Sequence, residues 1–101
     1  MKDLYVSALL DVYGFFLSEK QKALTEYYYY DDLSLSEIAE NEGITRQAVN
    51  DIIKRTVALL HSFEEKCGYC RKILRLKELA GEVALGDNTK NEEILSIIDD
   101  L

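Results

Sequence analysis

Proline is absent from this sequence of 101 residues, and only five of its residues are glycine. Turn signals are therefore few and lie far apart, which favours long helices over a series of short strands. Apolar residues make up 48% of the chain, which is enough to form a core, and the length suits one domain. We expect a single all-α domain over residues 1–101.

Long hydrophobic runs are absent as well. No stretch of about 18 apolar residues could span a bilayer, so we expect no membrane insertion. At the amino end, Lys2 and Asp3 precede an amphipathic segment, and no small-residue cleavage site follows it. These features predict a cytoplasmic protein.

Positive charge is scarce, because 12 Lys and Arg residues stand against 19 Asp and Glu residues, for a net charge of −7. The acidity is spread along the chain, and there is no basic tail. Since affinity for nucleic acid rests largely on neutralising phosphates, this balance predicts weak non-specific binding with a shallow salt dependence. The charge is the strongest argument against a DNA-binding role.

Catalytic and metal-binding constellations are also missing from the sequence. There is no serine–histidine–acid set and no glycine-rich loop to hold a phosphate, so we expect neither an enzyme nor a cofactor. Cys67 and Cys70 with the single His61 supply three metal ligands at irregular spacing, fewer than the four of a structural zinc site. We interpret both cysteines as core thiols and leave a redox role open.

The segment 34–55 has the pattern of two short helices joined by a tight turn, which is typical of a helix-turn-helix. Ser34 and Glu37 form a capping box that opens the first helix. Gly43 is the residue type that accepts a positive φ at the turn. Thr45 can cap the second helix, which we call the recognition helix.

At helical spacing, the recognition helix has one apolar and one polar face. Arginine and amide side chains match purine edges in the major groove, and this predicts the base contacts Arg46, Gln47 and Asn50. The predicted phosphate or register contacts are Ser34, Thr45, Lys54 and Arg55. An alternative is that the polar face contacts only solvent or a protein. Asp51 leaves both possibilities open, because a carboxylate can accept a hydrogen bond from cytosine but repels phosphate.

The remaining chain is predicted to be helical on both sides of the helix-turn-helix. We expect helices over 3–17 and 18–31, the second opened by a capping box of Ser18 and Gln21. After the recognition helix, apolar residues continue at heptad spacing, which predicts a long helix to about residue 85, with a candidate break near Gly68. Thr89 and Glu92 form a further capping-box pattern, which predicts a C-terminal helix over 90–101.

Four consecutive tyrosines, Tyr27–Tyr30, must point in four directions on a helix, so at least one stays partly exposed. Exposed aromatic rings favour a protein interface, for which we predict Tyr28, Tyr29, Tyr30 and Phe63. Alternatively, the rings pack and only their hydroxyls reach solvent. The heptad seam also needs cover, either from the first two helices or from a second copy of the chain, and we predict a homodimer.

The sequence motifs resemble a known family. They are Leu35-Ser36-Glu37-Ile38-Ala39-Glu40, Arg46-Gln47-Ala48-Val49 and Ile53-Lys54-Arg55-Thr56, preceded by Tyr13-Gly14 and Asp31-Asp32-Leu33-Ser34-Leu35. Over nearly the whole chain they resemble the small bacterial YlxM family, with a departure in the cysteine-containing segment. The helix-turn-helix of that family is similar to region 4 of sigma-70-type factors, and its genes lie beside those of the signal recognition particle. The resemblance implies a helical bundle with a regulatory role in that targeting pathway.

Two functions remain open at this point. A nucleic-acid-binding regulator would contact DNA or RNA through the polar face of the recognition helix. A protein adaptor would instead use the tyrosine run and the heptad seam to bind a component of the targeting pathway, such as a part of the signal recognition particle. The acidic charge suits the adaptor, because it would steer the chain to a basic partner.

Overall fold

The computed structural model describes residues 2–101, which form six α-helices and one short 3₁₀ turn. The helices are α1 (Leu4–Tyr13), α2 (Glu19–Tyr29), α3 (Leu35–Glu42), α4 (Arg46–Cys67), α5 (Tyr69–Ala84) and α6 (Asn91–Asp100). No strand occurs in residues 2–101, and the all-α prediction is confirmed. No helix in this range is long and apolar enough to cross a membrane.

Side-chain caps fix where α2 and α3 begin. The Ser18 hydroxyl accepts a hydrogen bond from the Gln21 N–H at 3.2 Å, and the Gln21 side chain accepts one from the Ser18 N–H at 3.1 Å. Ser34 and Glu37 form the same reciprocal pair, with both distances 3.1 Å. These two of the three predicted capping boxes are confirmed, and each pairs amides that the helix itself leaves unpaired.

The first helix is shorter than the predicted 3–17. It is capped by Asp3, whose carboxylate accepts a hydrogen bond from the Tyr5 N–H at 2.8 Å. After Tyr13 the chain tightens into the 3₁₀ turn Gly14–Phe16, which the Leu17 N–H closes by donating to the Gly14 carbonyl at 3.0 Å. The tighter winding ends the α-helix and leaves the two phenylalanines of the turn exposed.

Contacts within the chain cluster into two units, the first running to Lys66 and the second covering Cys67–Leu101. A single cooperative domain over the whole chain therefore stays a prediction. In the first unit, one buried cluster joins α2 to the helix-turn-helix and consists of Leu24, Ile38, Ala39, Val49 and Ile53. The buried side chains of α1 are Val6, Leu9, Leu10 and Tyr13.

Side chains of α1 contact the later part of α4 within the first unit. The buried Tyr13 hydroxyl donates a hydrogen bond to the Glu64 carboxylate at 2.6 Å, across 51 positions of sequence. Thr56, the polar member of the heptad seam, is also buried, and its hydroxyl donates to the Ile52 carbonyl at 2.8 Å, so no donor is lost. The first two helices thus cover this part of the seam, which was the first of the two alternatives.

The chain breaks the predicted long helix at Gly68. Where the sequence predicts one helix to about residue 85, α4 ends at Cys67 and α5 begins at Tyr69. The reason is a φ of 67° at Gly68, a left-handed conformation that interrupts the helix. Cys67, the last residue of α4 before this break, is exposed, contrary to its predicted place in the core, whereas Cys70 is buried as predicted.

Ion pairs connect α5 to α6 in the second unit. The Arg75 guanidinium contacts the Glu93 carboxylate twice, through Nε at 2.8 Å and through Nη2 at 3.1 Å. These hydrogen bonds hold the pKa of Glu93 below its usual value, so this pairing is present near neutral pH and is lost as the pH falls through the lowered pKa. Lys72 and Asp100 form a second pair at 2.8 Å.

The predicted capping box of Thr89 and Glu92 is wrong. Helix α6 begins at Asn91, and Lys90 is its N-cap residue without a side-chain hydrogen bond. The Thr89 hydroxyl is already engaged, because it and the Thr89 N–H both donate to the Asp87 carboxylate, at 2.6 Å and 2.9 Å. Thr89 is therefore bonded to Asp87 in a local turn and does not cap α6.

Candidate nucleic-acid interface

The connection between α3 and α4 is a tight turn built on one left-handed residue. Gly43 has φ 67° and ψ 30°, and the Ile44 N–H donates to the Ala39 carbonyl at 3.1 Å. The Thr45 hydroxyl accepts a hydrogen bond from the Ala48 N–H at 3.0 Å, which confirms the predicted cap. These local bonds set the direction in which α4 leaves α3, so the helix-turn-helix predicted for 34–55 is present.

The first turns of α4 present an apolar face to the core and a polar face to solvent. Val49 and Ile53 are buried and Ile52 is half-buried. On the polar face, the exposed residues are Arg46, Gln47, Asp51, Lys54 and Arg55, and Asn50 is half-buried. The structure thus brings five of the seven predicted nucleic-acid contacts onto one helix, with Arg46, Asn50 and Lys54 on successive turns about 6 Å apart along the helix axis.

The three cations of this face carry charges that the protein itself does not neutralise. None of the ion pairs within residues 2–101 uses Arg46, Lys54 or Arg55. All three side chains are exposed, so binding a phosphate would not require an existing pair to be broken. Asp51 on the same face remains the one carboxylate opposed to such binding.

Ser34 and Thr45 lie at the starts of α3 and α4, where both hydroxyls already cap a helix. The two sites differ in charge. The Ser34 N–H donates to the Glu37 carboxylate, and this hydrogen bond, followed by the one with the Ser34 side chain, lowers the pKa of Glu37. Glu37 is therefore ionised beside Ser34, so Thr45 is the better candidate for a phosphate contact.

The aromatic residues predicted for a protein interface are dispersed. Tyr28 and Tyr29 are half-buried against the core of the helix-turn-helix, with ring centroids 5.0 Å apart. Tyr30 is exposed, and its hydroxyl donates to Asp11; partial burial and this hydrogen bond raise its pKa, so the phenol stays neutral. Phe63 makes no ring contact with these tyrosines in residues 2–101. The structure thus brings together only Tyr28 and Tyr29.

Two exposed aromatic residues were missed by the sequence analysis. Phe15 is 73% exposed and Phe16 is 59% exposed, and their ring centroids lie 4.1 Å apart. The Phe16 ring is also 5.6 Å from that of Phe63, so this predicted interface residue belongs with the phenylalanine pair. The sequence does contain a signal, which is the pair of adjacent phenylalanines. The helix predicted over 3–17 did not include the 3₁₀ turn that exposes them.

No metal site is found in the part of the chain that the structure describes, because no three His, Cys, Asp or Glu residues there are grouped to hold an ion. His61 is exposed, and its ring centroid lies 5.9 Å from that of Tyr5.

Comparison with known proteins agrees with this geometry. The family described as "Putative helix-turn-helix protein, YlxM / p13 like" matches residues 1–100. The UPF0122 protein YlxM of Bacillus subtilis is 42% identical over 103 residues, covering 99% of this chain and 93% of the relative. A UPF0122 protein of Fusobacterium nucleatum is 44% identical over 98 residues, covering 95% of this chain and 91% of the relative. The chain belongs to the YlxM / p13-like family of helix-turn-helix proteins.

Proposed function

We propose that the protein is a nucleic-acid-binding regulator that contacts DNA or RNA through the polar face of α4. The observation that carries this proposal is the row of exposed cationic and amide side chains on the second helix of the helix-turn-helix. In this role Arg46, Gln47 and Asn50 contact base edges, and Lys54 and Arg55 contact phosphates. Ser34 and Thr45 contribute register contacts from the helix starts.

The family resemblance extends this proposal to a pathway. A regulator encoded beside the signal recognition particle genes would act in that targeting pathway, with a particle component as a candidate partner. Recovery of a tagged chain from cell lysate, with sequencing of the nucleic acid and identification of the proteins it holds, tests this assignment. A nucleic acid unrelated to the targeting pathway would contradict the pathway and leave the binding proposal standing.

The salt dependence of binding tests the regulator directly. Three cations, Arg46, Lys54 and Arg55, oppose one carboxylate, Asp51, so a monomer should neutralise about two or three phosphates. We expect log K to fall against log salt with a slope of about −2 to −3 per monomer on duplex DNA, measured by fluorescence anisotropy. Scrambling a selected target should abolish binding. A purified protein that binds nothing from randomised DNA and RNA pools at roughly 50 mM salt would exclude the regulator.

A protein adaptor is the second candidate, and the exposed phenylalanine pair favours it. Phe15 and Phe16 present a small apolar surface, with Phe63 beside it, on a chain of net charge −7. Apolar aromatic residues of this kind are enriched in protein interfaces. An adaptor would bind a protein or an assembled particle tightly and show no sequence preference on naked nucleic acid.

The same surface supports the predicted homodimer. The contact would be made by the phenylalanine pair, because part of the heptad seam is already covered within the chain. We expect sedimentation velocity to show concentration-dependent association at tens of micromolar, an estimated range for a weak dimer. Phe15→Ser should shift the chain to monomer, whereas Leu85→Ser, at a residue 91% exposed in the second unit, should not. A parent chain that stays monomeric over this range would contradict the dimer.

A further inference from the structure

A small cavity of about 260 Å³ lies beside the polar face of α4, entirely within the first unit. Tyr28 and Tyr29 of α2 line one part of it, and Leu35 of α3 lines another. From α4, Asn50 and Lys54 line it together with apolar side chains. Two residues of the proposed nucleic-acid face therefore also belong to a concave site with aromatic walls.

The Tyr28 ring of the cavity is held in place by Lys2, and the Tyr29 ring packs against it. They meet edge to face, with an interplanar angle of 80° and centroids 5.0 Å apart. The Lys2 ammonium lies 3.7 Å from the centroid of the Tyr28 ring and is itself fixed by the Leu33 carbonyl at 2.7 Å and by Asp32 at 3.3 Å. Aromatic walls fixed in this way are suited to stack on a flat ring with little loss of side-chain entropy.

The polar groups of the cavity are available to a ligand. Within residues 2–101 the side-chain amide of Asn50 forms no hydrogen bond, and Lys54 forms no ion pair. Among the residues that the structure describes, no carboxylate lines the cavity, although the chain as a whole carries a net charge of −7. The amide offers one acceptor and two donors, and the ammonium one turn away offers a positive charge. This site therefore favours a ligand that combines a hydrogen-bonding edge with an anion.

Size and chemistry together identify the class of ligand. Small-molecule sites usually have about 300–1,000 Å³, so this cavity of about 260 Å³ lies just below that range and suits a single ring system. A nucleobase is flat, stacks on aromatic side chains, and presents donors and acceptors that an asparagine amide can pair with. Its phosphate supplies the anion for Lys54. A base inside a duplex is stacked and paired, so only an unpaired base can enter such a cavity.

We propose that the cavity between α2 and α4 binds one unpaired nucleotide, with its base against Tyr29 and Asn50 and its phosphate near Lys54. This inference rests on the proposed nucleic-acid binding and specifies it, because it makes the protein a reader of single-stranded segments. A free mononucleotide has the same chemistry as an unpaired base of a strand. The experiment below separates the two sources.

The test compares three probes at about 50 mM salt by calorimetry and NMR titration: the four ribonucleoside monophosphates, a short randomised single strand, and its duplex. We expect Tyr29→Leu and Asn50→Ala to weaken binding of the single strand by roughly 5- to 150-fold, because each removes a stacking or base-edge contact. Asn41→Ala, at an exposed asparagine of α3 outside the cavity, is the matched control and should bind like the parent. Circular dichroism checks that each variant is folded.

The outcomes separate this inference from the proposed function. If monophosphates compete for binding, the cavity is assigned to free nucleotides. If only the strand binds, the cavity is assigned to single-stranded nucleic acid. Either result supports the inference, provided that the cavity variants weaken the binding. If those variants bind the strand like Asn41→Ala while Arg46→Ala still weakens duplex binding, the cavity proposal is wrong and the proposed function stands. If no probe binds, the cavity proposal and the proposed function are both wrong. An apolar peptide that shifts the NMR signals of the cavity residues would then identify the ligand as a protein.

Discussion

Leu24→Ala is expected to lower the free energy of unfolding by about 2–5 kcal/mol, the largest stability effect that we predict. Leu24 is 1% exposed and belongs to the cluster that joins α2 to Ile38, Val49 and Ile53 of the helix-turn-helix. Removing its isobutyl group leaves a cavity among residues that are fixed by the caps of α2 and α3. Since small domains have stabilities of about 5–15 kcal/mol, the loss would be a large part of the total.

Urea denaturation followed by circular dichroism measures this change. Leu85→Ala removes the same atoms from a side chain that is 91% exposed, and its effect should stay within about 0.5 kcal/mol. A loss below about 1 kcal/mol at Leu24 would mean that α2 does not pack on the helix-turn-helix in solution as described.

Arg46→Ala should weaken binding to a selected target by about 1–3 kcal/mol, or roughly 5- to 150-fold, and should leave stability nearly unchanged. The guanidinium is exposed at the first position of α4 and takes part in no ion pair within residues 2–101, so its removal disturbs no internal contact. Arginine at the start of a recognition helix can donate two parallel hydrogen bonds to guanine.

Lys77→Ala is the matched control, because it removes one exposed cation from α5 outside the proposed interface. Affinity and sequence preference, measured by competition with scrambled targets, should change for Arg46→Ala and stay close to the parent for Lys77→Ala. Equal affinity in Arg46→Ala and the parent would remove this residue, and with it the main base contact, from the proposed interface.

Features that depend on neighbouring residues could be predicted from the sequence. The two capping boxes at Ser18 and Ser34 and the left-handed Gly43 each involve side chains and amides within a few positions, so the sequence pattern contains both partners. Thr89 shows the limit of this reasoning. Its hydroxyl could either cap α6 or bond to Asp87, and in the structure it donates to Asp87. Which local bond forms depends on their relative strengths, and a motif does not give these strengths.

Features that join distant parts of the chain could not be predicted. The Tyr13 and Glu64 hydrogen bond spans 51 positions and the Arg75 and Glu93 pair spans 18, and neither has a local signature. The heptad pattern predicted a core position for Cys67, but this residue is the last of α4 and is exposed beside the break at Gly68, which periodicity alone does not place. The cavity beside Asn50 likewise needs the relative position of α2 and α4, which only packing determines.

The capping box of Ser34 and Glu37 makes the starts of α3 and α4 unequal as phosphate sites. The positive end of a helix dipole and its free amides attract anions, but at α3 a carboxylate of the same chain already holds that place. While the box is closed, a nucleic-acid phosphate competes with an internal anion at α3 and meets none at Thr45. The protein would therefore hold a phosphate at the start of α4 alone, with Ser34 setting only the register, and would pivot about that single anchor.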